Sequence, residues 1–90
     1  MPFDPEFEAQ YIRQFAAIVR SGTTSPVYNE WTQRIRESLS EIGDPNTKEE
    51  SLKRLTLIGN YASIRIEDPT GSRNLIADKI EELATFISEI

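Results

Sequence analysis

Four dipeptides divide this 90-residue chain in the same way: Asp4-Pro5, Ser25-Pro26, Asp44-Pro45 and Asp68-Pro69. Asp and Ser accept hydrogen bonds from the free N–H groups of a helical first turn, and proline suits the first helical position, where its missing N–H costs nothing. The stop signals agree with these starts. Arg20-Ser21-Gly22 puts a cation near the negative end of the helix dipole and then a glycine suited to a left-handed cap, and Gly43 repeats the glycine signal after Ile42. Thr47-Lys48-Glu49-Glu50 adds a capping box just beyond Asp44-Pro45 and moves the expected start of the third helix to about residue 47. The pattern predicts an all-α fold, a compact four-helix bundle with short loops. Residues 1–90 form one helical domain, with helices at about 5–21, 26–42, 47–66 and 70–89.

Helical periodicity gives three of these segments one apolar stripe each. The stripes are Phe7, Tyr11, Ile12, Phe15, Ile18 and Val19 in the first; Val27, Tyr28, Trp31, Ile35, Leu39 and Ile42 in the second; and Leu75, Ile76, Ile80, Leu83, Phe86, Ile87 and Ile90 in the fourth. Core packing is the expected role of all of them. The third segment is different. Leu52, Leu55, Ile58, Ala62 and Ile66 share one face, with Gly59 among them, whereas Leu57, Tyr61 and Ile64 lie roughly opposite. Gly59 costs about 1 kcal/mol relative to alanine in a helix interior, which is tolerable if it lets another helix approach closely.

The stretch SIRIEDPTGSRN, residues 63–74, has a second reading. Ile64 and Ile66 alternate with polar neighbours as in a strand, and Asp68-Pro69-Thr70-Gly71 spells a tight turn. A hairpin needs a second strand, however, and Leu75 onward runs at helical spacing. Residues 64 and 66 are therefore expected in the last turn of the third helix and residues 68–72 in the turn that starts the fourth.

Composition removes several chemistries. There is no histidine, hence no Ser-His or Cys-His pair and no HExxH or Glu-x-x-His motif; there is no cysteine, hence no disulfide, thiolate nucleophile or thiolate metal site. Asp78, Glu81 and Glu82 come together at helical spacing, and Glu49 and Glu50 are adjacent. Without a second ligand type such groups read as a solvated face. The expectation is a chain that is not an enzyme, with no catalytic residues, no cofactor and no metal. The net charge of −5 opposes binding to nucleic acid or an anionic membrane. That charge is uneven: residues 1–30 carry −2, residues 31–66 carry +1 and residues 67–90 carry −4. No apolar run approaches the length of a membrane span, and the opening MPFDPEFE is acidic where a secretion signal is basic, so the expected location is cytoplasmic.

What remains is the second face of the third helix. Arg54, Leu57, Tyr61, Ile64 and Arg65 combine the apolar, aromatic and arginine side chains that interface centres favour. Short loops can pack helices on two sides of a central one, so this face is covered either within the domain or by a partner; in the second case the residues point to a small acidic, non-enzymatic protein–protein interaction module, an adaptor, inhibitor or regulatory subunit, whose partner is another protein or a second copy of the chain. Two other readings attach to other residues. Gly71, Ser72 and Arg73 in the 68–74 loop could offer N–H groups and a cation to a phosphate or nucleotide, although the P-loop spacing and its lysine are missing and Glu67 and Asp68 repel anions. Arg34, Arg36, Lys53 and Arg54 could form a basic surface for DNA or RNA, but acidic residues interleave with them.

Overall fold

The computed structural model describes residues 3–67 and 71–90. It is an all-α four-helix bundle: α1 Pro5–Ser21, α2 Ser25–Leu39, α3 Pro45–Ala62 and α4 Ser72–Ser88. Each helix packs on its neighbours in sequence and α4 closes back onto α1, while the diagonal pairs do not approach. Consecutive helices run antiparallel, as shown by Glu8 meeting Ser38, Arg36 meeting Thr56, Arg54 meeting Phe86 and Arg20 meeting Asp78.

Side-chain size sets the spacing around this ring. Ala9 and Ala16 of α1 and Ala77 and Ala84 of α4 are all buried at two-turn intervals, so the two axes approach closely and form the most intimate pair in the bundle. Between α1 and α2 the filling is aromatic. Trp31 stacks on Tyr11 at 4.9 Å and on Phe15 at 5.7 Å between ring centroids, and Tyr28 tilts against Phe15 at 5.2 Å. These rings hold α2 away from α1 while still closing the core.

Two of the expected caps form as expected. Asp4 accepts hydrogen bonds from the N–H groups of Glu6 and Phe7, and Asp44 accepts one from the Thr47 N–H. Asp44 rather than Thr47 therefore caps α3, which starts at Pro45 and not at 47; the Thr47 hydroxyl donates back to the same carboxylate. The cap of α2 is Thr24, without a side-chain hydrogen bond, and Ser25 is already inside the helix. The freed Ser25 N–H and hydroxyl donate to the Glu67 carboxylate at 3.0 and 2.9 Å, which ties the middle of the α3–α4 connection to the start of α2. The Asp68-Pro69 pair lies outside the described residues. Helix α4 begins at Ser72 rather than 70, with Gly71 as its cap at φ 96°, a left-handed conformation that favours glycine.

The helix ends are shorter than periodicity indicates. Helix α2 stops at Leu39, not 42, and residues 40–42 tighten into i→i+3 bonds from Glu41 and Ile42 to Ser38 and Leu39. Gly22 has the positive φ, 105°, expected of a glycine terminator, but Gly43 does not. Helix α3 stops at Ala62, not 66. Asn60, Ser63 and the β-branched Ile64 are weak helix formers, and the Ala62 carbonyl is taken by the N–H groups of Arg65 and Ile66 in a following turn. That turn sends Ile66 into the core and leaves Ile64 outside. No strand forms among the described residues, so the isoleucine alternation marks a helix exit.

Most of the predicted stripe residues are buried, but Phe7, Val27, Leu75 and Ile90 are exposed. Gly59 also departs from expectation. A Cβ placed there would meet nothing within 4 Å, so no helix crosses close to it.

Candidate functional site

Helix α3 buries Ser51, Leu55, Ile58 and Ala62 against the core, and Ile66 follows them inward. Ser51 is tolerated there because its hydroxyl donates to the Thr47 carbonyl at 2.8 Å. The opposite face points out of the bundle: Leu57 is 56 % exposed and Ile64 81 % exposed. On α4, Leu75, Lys79, Glu82 and Phe86 recur at i, i+4, i+7 and i+11 and so share one stripe, on which Leu75 is 52 % exposed. The two stripes flank the α3–α4 seam, where a groove of about 360 Å³ is lined by Arg54, Leu57, Ile58, Tyr61, Lys79, Glu82 and Leu83.

The aromatic rings of this face carry cations. The Arg54 guanidinium lies over Phe86 at 4.3 Å, and both the Arg65 guanidinium and the Lys79 ammonium lie over Tyr61, at 4.4 and 5.1 Å. Such contacts orient a cation without neutralising it. Arg54 is also paired with Glu50 one turn back, Nε to carboxylate 3.2 Å, and Arg65 donates to the Tyr61 carbonyl at 2.9 Å. Among the described residues neither Arg65 nor Lys79 has a carboxylate within 4 Å. The groove thus has a buried apolar floor of Ile58 and Leu83, the exposed Leu57 and the Glu82 carboxylate on its walls, and beside Tyr61 two cations with no carboxylate within 4 Å among the described residues.

Of the five residues singled out from sequence, Arg54, Leu57 and Tyr61 line the groove directly. Arg65 reaches its edge by stacking on Tyr61, and Ile64 projects from the turn after α3. The contribution of α4 is absent from that set. Its signal was the same helical spacing, but Leu75 and Phe86 were assigned to the core and Lys79 to no site.

Several of the other candidate groups have structural partners. Arg20 donates to both Asp78, at 2.9 Å, and Glu81, so these two carboxylates clamp α1 to α4 and hold the guanidinium firmly protonated. Arg34 is paired with Glu30 at 2.9 Å. The Arg73 guanidinium comes within 3.2 Å of where a Cβ on Gly22 would sit, which places it at the α1–α2 corner. Among the described residues no group of three or more His, Cys, Asp or Glu side chains could hold a metal ion, and no helix is long and apolar enough to cross a membrane.

Glu8, which lies outside every predicted stripe, is 4 % exposed between α1 and α2. Burial pushes its carboxyl above the usual range, a 2.6 Å hydrogen bond from Ser38 opposes that rise, and the Glu41 charge adds to it. No protein-family model matches the chain, and no curated protein or solved structure shows significant similarity to it.

Proposed function

We propose that this chain is a non-enzymatic helical interaction module whose α3–α4 face receives an amphipathic helical segment of another protein. The observation that carries the reading is the coincidence of exposed apolar side chains with a groove. Leu57 lines the groove over the buried Ile58 and Leu83, Leu75 stands exposed on the same α4 stripe as Lys79, and Ile64 projects from the turn after α3. A groove between two antiparallel helices accepts a third helix through anchors spaced at i, i+3, i+4 and i+7. Charge narrows the occupant further. Among the described residues Arg65 and Lys79 lie over Tyr61 with no carboxylate within 4 Å, and they outnumber the one acid of the groove wall, Glu82, so the face favours a segment bearing Asp or Glu beside its apolar anchors.

The test is affinity capture from the cells that express the protein naturally, with wild type, Leu57→Asp and Ile64→Asp compared side by side. Both side chains are exposed, so both variants keep the wild-type circular dichroism spectrum. A polypeptide retained by wild type and lost with both variants supports the reading. Equal retention by all three places the contact elsewhere, and a concentration-dependent mass in sedimentation that both variants abolish replaces the foreign helix with a second copy of the chain.

A further inference from the structure

A second cleft, of about 300 Å³, runs between α2 and α3 on the side of α3 away from Leu57. Its chemistry differs from that of the groove described above. Among the described residues its wall carries hydroxyl and amide groups and one guanidinium, and no carboxylate. Arg36 of α2 reaches across it to the Thr56 hydroxyl of α3, Nη1 to Oγ1 3.4 Å. Thr32 lies one turn along α2 from Arg36, and Gly59 lies one turn along α3 from Thr56; because the helices are antiparallel, the two are level.

Gly59 gives the cleft its depth. Its position in the interior of α3 lowers stability relative to alanine, and no neighbour within 4 Å of a Cβ there gives packing a reason for it. Tyr28 forms part of the inner wall. It is 5 % exposed, and its enclosed hydroxyl has no hydrogen-bond partner among the described residues, while the Thr32 hydroxyl donates to the Tyr28 carbonyl at 2.8 Å. The Thr56 hydroxyl, by contrast, accepts from Arg36 and keeps its own proton free to donate.

Among the described residues no carboxylate lies within 4 Å of the Arg36 guanidinium. Glu67 binds Ser25 at the other end of the cleft, about 16 Å along α2 from Arg36 at the helical rise. Glu37, next in sequence, accepts from the Gln33 amide.

We propose that the α2–α3 cleft binds a small molecule through an oxyanion group, a carboxylate or a phosphate. Arg36 supplies the counter-charge, Thr56 and Asn60 donate hydrogen bonds, and the space over Gly59 seats the body of the ligand. The site lies across α3 from the protein-binding face and stands independently of it.

Isotope-labelled full-length protein is titrated with inorganic phosphate and, separately, with succinate, and the backbone amide resonances are followed. Saturable shifts centred on Thr32, Arg36, Thr56 and Gly59 are expected with one or both anions, and the arm that saturates at lower concentration identifies the oxyanion. Arg36→Gln, at a half-exposed position, raises the half-saturation concentration at least tenfold. Gly59→Leu fills the cleft and removes the response while the protein stays helical by circular dichroism. No saturable shift with either anion, saturable shifts centred elsewhere, or an unchanged response in Arg36→Gln overturns the proposal; the Arg36 variant decides the matter if the Gly59 variant does not fold.

Discussion

The Ser38 hydroxyl donates a 2.6 Å hydrogen bond to one oxygen of the Glu8 carboxylate, while the other oxygen of that carboxylate is enclosed without a partner. A carboxylate half-satisfied in this way is stable only through its single hydrogen bond, and protonation relieves part of the burial cost. Because burial raises the Glu8 pKa in the folded state, its stabilising contribution is fully present below the ordinary carboxylate range. It is lost as pH rises through the raised value. Glu8→Gln keeps an acceptor for Ser38 without the charge. The variant is expected to be more stable than wild type near pH 7 and to lose that advantage in acid. Urea denaturation of both proteins across the acidic range checks this; a variant less stable at neutral pH contradicts it.

Asp44 and Glu67 act in the opposite sense. The Thr47 hydroxyl and N–H lower the Asp44 pKa, and the Ser25 N–H and hydroxyl lower that of Glu67. Their contributions are present above the ordinary carboxylate range and are lost as pH falls through the lowered values. Asp44→Ala is expected to lower the melting temperature measurably, as other lost N-caps do, whereas Thr24→Ala, which removes no cap hydrogen bond, is expected to stay within about 0.5 kcal/mol of wild type. Equal losses in the two variants, measured by thermal unfolding, would place the α2 cap on the Thr24 side chain after all.

The α1–α4 seam depends on small side chains. Ala16→Leu or Ala84→Leu forces the closest helix pair apart, with an expected loss of about 1–3 kcal/mol from overpacking. The measurement is the denaturation midpoint, and an unchanged midpoint would show that the seam is looser than its alanines indicate.

Gly59→Ala is expected to stabilise the fold by about 0.5–1 kcal/mol, since the methyl group enters open space and the helix gains propensity. For a domain of this size that corresponds to a rise in melting temperature of several degrees, at about 4–8 °C per kcal/mol. A fall in melting temperature would mean that α2 closes over Gly59 in solution.

The legible part of the fold was its punctuation. Asp4-Pro5 and Asp44-Pro45 start helices because capping and the fixed φ of proline are local effects that need no tertiary context. Ser25-Pro26 misled by one residue because the Ser25 groups are drawn to Glu67, a contact between positions 42 apart in the chain. Glu8 could have been found: it stands four and seven residues before Ile12 and Phe15, in line with the buried stripe, whereas Phe7 lies on its shoulder and is exposed. The outward face of α3 was readable because Leu57, Tyr61 and Ile64 break the single-stripe pattern. The share of α4 in the groove was harder to read despite its helical spacing, because Lys79 and Glu82 fit an ordinary solvated face and Leu83 a core stripe, and only the packing of α3 against α4 brings them together.

The central claim, that the α3–α4 face receives a helix of another protein, is tested most directly by site-specific photo-crosslinking in the native cell. A photoreactive residue is placed in turn at Leu57, at Leu75 and, as a control on the far side of the bundle, at Glu37. The account predicts a covalent adduct to the same polypeptide from positions 57 and 75 and none from position 37. Adducts from all three positions alike, or none from 57 and 75, would contradict it.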